Sequence, residues 1–339
     1  MRRLTALLII TGVCHLLRAQ TFWLGADISG TTELEARGAQ LRNARGEPRE
    51  NTALMRELGL NAVRLRVWVN PKNGFSGKED VVHMALRAKQ NGMALMVDFH
   101  YSDWWADPGK QNIPAAWRDM SYEQMCVALA DHTREVLLAI RQAGAEVRWA
   151  QVGNETTHGF LWPVGRAEEN MRQYAGLTDA GYGAVKEVFP KAEVIVHLDG
   201  GCDPYRYDFI LDGLEQYRAR YDMIGLSVYP YWDIDSKLTT SWQESIEKAT
   251  ANINRLWTRY HRPMMIVETG AEAKKPDEGK QIIAAVISAA RHQTHGHCQG
   301  VFYWAPEAEG HYPLGAFDGG RPTIIMDAFT EAAANEGGQ

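Results

Sequence analysis

Two acidic residues draw attention because each closes an apolar run. In "RWAQVGNE" (148–155) Glu155 follows Trp149, Ala150 and Val152, and in "MMIVET" (264–269) Glu268 follows four apolar residues. A carboxylate leaving a core is costly unless it is paired, solvated or at work. A lone acid in such a place is ordinarily half of a salt bridge with a loop Arg or Lys. Two carboxylates facing one cleft are instead the means of glycoside hydrolysis, where one protonates the leaving oxygen and the other attacks the anomeric carbon. Desolvation and neighbouring partners can then set their pKa values apart.

The surrounding residues suit a sugar. Asn154 offers an amide to a sugar 2-hydroxyl, a bond that strengthens as the oxocarbenium-like state forms, although an Asn here can also be a simple turn former. The stretch "VDFHYSDWWADPGKQNIPAAW" (97–117) packs His100, Tyr101, Trp104, Trp105 and Trp117 with Asp103 and Asp107. Aromatic faces stack on the apolar faces of pyranose rings while acids and amides bind hydroxyls. "SVYPYW" (227–232) adds Tyr229, Tyr231 and Trp232, and "FYWAPEAEGHYPLGAFD" (302–318) adds Trp304. A Tyr can steer the nucleophile's carboxylate, and a Trp can form the floor under the scissile sugar. His100 and His197 with nearby acids also permit a metal-hydrolase reading. That class usually carries HxH on its first strand, and "ADIS" has no His, so no cofactor or catalytic metal is expected.

Eight short β-rich runs position these residues: 22–29, 62–69, 94–100, 148–155, 192–199, 223–230, 264–269 and 300–307. Amphipathic helical stretches lie between them, such as "NTALMRELG" and "VVHMALRAKQNG", the latter closed by Gly92. Strands alternating with helices require right-handed crossovers and a parallel sheet, and eight such units close into a (β/α)8 TIM barrel of the α/β class. An open doubly wound sheet is the competitor, but no GxGxxG or GxxxxGK[ST] follows any run. In a barrel the chemistry gathers at the C-terminal strand ends. Those ends read Asp27, Arg66, Trp68, Asp98, His100, Asn154, Glu155, His197, Asp199, Tyr229, Glu268, Trp304 and Glu307.

Bulk properties narrow the partners. The 339 residues carry a formal net charge of −6, and the chain offers no basic face for a nucleic acid. "MRRLTALLIITGVCHLLRAQ" has the layout of a secretory signal peptide and is too short for a mature transmembrane helix. Residues 1–19 are therefore expected to be a leader and 20–339 one catalytic domain, secreted, periplasmic or cell-surface, and monomeric. Val13 stands where a lipoprotein signal needs a small residue before Cys14, which argues against lipid anchoring. Cys126, Cys202 and Cys298 are widely spaced and imply neither a disulfide framework nor a zinc cluster.

Taken together, "GADIS", "RLRVWVNP", "DFHYSDWWADPGKQNIPAAW", "QVGNE", "GFLWPVG", "IGLSVYPYW", "IVET" and "YWAPE" resemble, in order, the motifs of glycoside hydrolase family 53, the arabinogalactan endo-β-1,4-galactanases. The long third-strand motif is highly specific, whereas "NE" and "ET" alone indicate only the wider clan of retaining (β/α)8 hydrolases. The resemblance implies a retaining endo-β-1,4-galactanase acting on β-1,4-galactan, as in type I arabinogalactan or pectic side chains. It implies Glu155 as acid/base and Glu268 as nucleophile. Arg66, His100, Asn154, Tyr229 and Trp304 match positions lining the central sugar site, with Trp105, Asp199 and Trp232 in motifs near it. The chain departs from the family at Val228, where a second Tyr is common, and at Ala305, where an acid is usual. It also has a shortened loop after the eighth strand, which removes one wall of the cleft and leaves no evident calcium loop.

Overall fold

In the computed structural model, which describes residues 21–310 and 312–335, each of the eight apolar runs coincides with a strand, the eighth beginning two residues earlier than expected. They are β1 (Trp23–Asp27), β2 (Ala62–Val67), β3 (Ala94–Phe99), β4 (Trp149–Val152), β5 (Glu193–Leu198), β6 (Met223–Val228), β7 (Met264–Thr269) and β8 (Cys298–Trp304). Neighbours pair in parallel in chain order, and β8 returns to β1, so the barrel is closed. The expected leader, residues 1–19, lies outside the described residues. Among the described residues no helix is long and apolar enough to cross a membrane.

The helices around the barrel are α1 (Thr31–Ala36), α2 (Asn51–Glu57), α3 (Lys78–Gln90), α4 (Tyr122–Gln142), α5 (Ala167–Val188), α6 (Pro204–Gln216), α7 (Pro230–Asp235), α8 (Trp242–Tyr260), α9 (Pro276–His292) and α10 (Asp327–Ala334). Local chemistry sets their ends. Ser121 caps α4 in a reciprocal capping box with Gln124, and Gly92 follows α3 in the left-handed conformation at φ +65°.

Alternation along each strand divides the core in two. Val63, Leu65 and Val67 of β2 point outward to the helices, whereas Ala62, Arg64 and Arg66 occupy the inward parity. The lowest interior layer is apolar: Ala62, Met96, Trp149, Ile195, Met223, Met265, Val267 and Phe302 pack together. Trp149 sits edge-on to Trp23 at 4.9 Å and to Phe302 at 6.2 Å, filling the barrel where eight strands leave room only for side chains. Gly25 is required beside them, since a Cβ there would lie 2.3 Å from a Phe302 ring carbon.

Above this floor the inward positions turn polar, and two backbone irregularities aim the acids. Leu226 of β6 pairs with Ile266 of β7, but Ser227 pairs with Glu268, so Val267 is an extra residue in the ladder. The bulge lets Val267 fill the floor while Glu268 still faces inward. In β4 the expected strand over 148–155 ends sooner, at Val152, because Gly153 leaves the ladder at φ +88°. Glu155 follows at φ +47°, a left-handed non-glycine costing about 1 kcal/mol. The turn continues to Gly159 (φ +74°), where a Cβ would meet the Gly165 carbonyl oxygen at 1.9 Å and the Ala167 nitrogen at 2.8 Å. Gly159→Ala should therefore cost about 3 kcal/mol, read as a lowered urea midpoint with unchanged m-value.

Candidate active site

The polar layer is organised by a residue that sequence reasoning passed over. Arg64 is fully buried, and its five N–H groups have five acceptors. Nε donates to Gln151 Oε1 at 2.6 Å, Nη1 to Asp27 Oδ2 at 2.8 Å, and Nη2 to Asp98 Oδ2 at 2.9 Å and Asn154 Oδ1 at 2.8 Å. Nη1 also meets Glu268 Oε1 at 2.9 Å. The signal was present in "RLRVW": two inward-facing arginines on one stave, of which only the upper stands at the strand end.

Above Arg64 opens a cavity of about 620 Å³, and His100, Trp105, Asn154, Glu155, Asp199, Tyr229, Trp232, Glu268 and Trp304 all line it. Arg66 is not among the lining residues. Its guanidinium lies 4.4 Å over the Trp68 ring and 3.9 Å over that of Trp105, stiffening the wall from behind, and burial pulls it down to about 10. Glu307 is buried away from the cavity, where burial raises it to about 8.

The two acids differ in burial and in partners, Glu268 being buried and Glu155 partly exposed. Glu268 accepts from the Tyr229 hydroxyl at 3.0 Å as well as from Arg64. Burial raises it to about 7, against the pull of Arg64. Glu155 has no such cation. It is held well above the usual carboxylate range by burial, then by the charges of Glu268 and Asp199, with the Ser227 hydroxyl and, more weakly, the charge of Arg64 opposing. That hydroxyl donates to Glu155 Oε1 at 2.6 Å. His197 completes the circuit: its Nδ1 faces the Glu155 amide at 3.3 Å and its Nε2 faces Ser227 Oγ at 2.8 Å. Burial, then Arg64, holds this imidazole far below its usual range, so it is neutral. Ser227 and this role of His197 carried no readable sequence signal.

The remaining residues frame the cavity. His100 Nδ1 accepts from the Ala106 amide at 3.1 Å, so its Nε2 donates to Asp98 at 3.0 Å. Asn154 donates to the Ala106 carbonyl at 2.8 Å, keeping one amide hydrogen free of that bond. Asp199 pairs with Arg206 and Thr157. Trp232 stands at the rim, 42% exposed, and Trp304 faces Trp105 at 5.7 Å and Tyr312 at 4.8 Å. Among the described residues no group of three His, Cys, Asp or Glu is placed to hold a metal ion. The arrangement suits a reaction needing one neutral and one ionised carboxyl beside aromatic walls.

Residues 23–320 match the model of Glycosyl hydrolase family 53. The chain is 31% identical over 314 residues to an endo-beta-1,4-galactanase of Bacillus subtilis (strain 168), covering 84% of this chain and 70% of that one. A fungal beta-1,4-galactanase structure superposes with a TM-score of 0.82 at 25% identity, over 91% of this chain and 99% of the other. The family 53 catalytic domain of Ignisphaera aggregans gives 0.81 at 27% identity, over 91% and 95%.

Replacing the central cation tests how much the site depends on it. Arg64→Met leaves Asp27, Asp98 and Glu268 without their shared partner and should cost about 3–5 kcal/mol in urea unfolding at pH 7.

Proposed function

The chain belongs to glycosyl hydrolase family 53 and is a glycoside hydrolase, and from that premise we propose that it is a secreted endo-β-1,4-galactanase working with retention of configuration. The galactan assignment is supported by the relatives named as galactanases and by the aromatic loop at 97–117. Secretion rests on the N-terminal leader pattern. The observation that carries the mechanism is the unequal partnering of the two acids: Arg64 and Tyr229 on Glu268, a serine hydroxyl on Glu155.

In the first step the Glu268 carboxylate attacks the anomeric carbon while the Glu155 carboxylic acid gives its proton to the departing glycosidic oxygen. The C–O bond to the leaving sugar breaks with its electron pair on that oxygen, and a glycosyl ester forms on Glu268. Esterification removes the negative charge that helped raise Glu155, so its pKa falls and Glu155, its proton gone to the leaving oxygen, stays a carboxylate. It then takes a proton from water, whose oxygen attacks the same carbon and releases Glu268. One charge thus serves as nucleophile and as the switch that turns acid into base.

Reducing-sugar release from galactan, xylan and glucan tests the assignment. Wild type should act on galactan. Glu268→Gln should lose at least about 10⁴-fold, and Glu155→Gln about 10²–10⁴-fold. Proton NMR of the first product should show the β-anomer; activity on xylan or glucan alone contradicts the substrate, and an α-anomer contradicts the mechanism. The pH profile gives a second test. The Tyr229 hydroxyl bond favours ionised Glu268, so Tyr229→Phe raises the Glu268 pKa. Because the nucleophile must be ionised, the acid limb of kcat/KM should move to higher pH, by about 1 unit.

A further inference from the structure

Trp104 is the most exposed tryptophan near the cavity, at 56%, yet it does not line it. One face packs on the buried Trp68 ring, with centroids 4.6 Å apart and planes 31° from parallel. Trp68 is already covered by the Arg66 guanidinium and by the edge of Trp105 at 5.4 Å, so Trp104 is not needed to bury Arg66. The other face of Trp104 is left to solvent. A single exposed apolar side chain is ordinary. What distinguishes this one is its place in a row.

From the cavity outward the rings run Trp304, Trp105, Trp104, with successive centroids 5.7 and 6.5 Å apart. Those steps are comparable with the advance per sugar along a β-1,4-linked chain. The row is also rigid. Asp103, the preceding residue, accepts from the Asn70 amide at 3.1 Å and from the Ala115 amide at 2.8 Å, bridging the loops that follow β2 and β3. Val69 donates to the Ser102 carbonyl at 2.9 Å on the other side. An aromatic ring held open to solvent on a pinned loop binds without an ordering penalty.

We propose that Trp104 is the platform of a further sugar subsite, taking a galactosyl residue of the chain one step beyond the one held against Trp105. The axial O4 of β-galactopyranose gathers its C–H groups on the opposite face, which is the face an indole accepts. This inference rests on the galactan reading above. Because the step lies beyond the reacting sugar, Trp104 contributes to holding long chains and not to the bond-breaking step.

The experiment compares wild type, Trp104→Ala and Trp104→Phe on β-1,4-galactotriose, β-1,4-galactohexaose and polymeric galactan. A trisaccharide bound across the cleavage point does not reach Trp104, whereas a hexasaccharide does. Trp104→Ala should raise KM about tenfold for the hexasaccharide and the polymer, leave kcat within about twofold, and leave kcat/KM for the trisaccharide unchanged. Trp104→Phe should recover most of the loss, and thermal unfolding should show both variants folded. Equal effects on short and long substrates, or none on either, overturn the subsite. Failure of wild type to cut galactan overturns the substrate reading instead, and the same series separates the two.

Discussion

A guanidinium buried at the centre of the barrel constrains everything above it. Arg64 cannot give up its proton, so its position demands anions and carbonyl acceptors in a fixed fork geometry. These come from β1, β3, β4, the loop after β4 and β7, as Asp27, Asp98, Gln151, Asn154 and Glu268. The result is a polar plane stretched across the staves directly on top of the apolar floor of Trp149 and Phe302. Burying this many charges is not an efficient way to stabilise a barrel. Its effect is to oppose, at one acid, the rise that burial causes.

That acid is Glu268, and its counterpart is defined by what it lacks. Burial raises both carboxyls; Arg64 opposes it strongly at Glu268, which it touches, and weakly at Glu155, where the charge on Glu268 pushes further up. Asp98 shows the same logic carried through: burial would raise it, yet Arg64 and His100 draw it below the usual carboxylate range. The neutral imidazoles of His100 and His197 add hydrogen bonds without adding charge. A difference in protonation therefore follows from a difference in neighbours, and the neighbours follow from strand register.

Much of this was legible in the chain. Eight apolar runs announced eight staves, and strand-end reading singled out His100, Asn154, Glu155, Asp199, Tyr229, Glu268 and Trp304 of the cavity lining, because in a parallel barrel the end of the run and the mouth of the pocket coincide. Depth was not legible. Arg66 stands nearer the strand end and was chosen, but the polar layer lies one inward step lower, at Arg64. The bulge at Val267 was hidden because "MMIVET" is apolar at both parities, so no alternation marks the extra residue. The early exit of β4 follows from the left-handed conformation of Gly153, which no apolar pattern encodes. Trp104 and Trp105 are the same residue type side by side, and only the packing on Trp68 and Arg66 tells them apart.

After burial, the charge on Glu268 is the largest influence raising Glu155. Carbon-13 NMR titration of labelled glutamate side chains, in the free enzyme and with Glu268 trapped as a 2-fluoro-galactosyl ester, measures this directly. Glu155 should titrate above Glu268 in the free enzyme, and its pKa should fall once Glu268 is esterified. A Glu155 pKa that lies below that of Glu268, or that does not move on esterification, would contradict it.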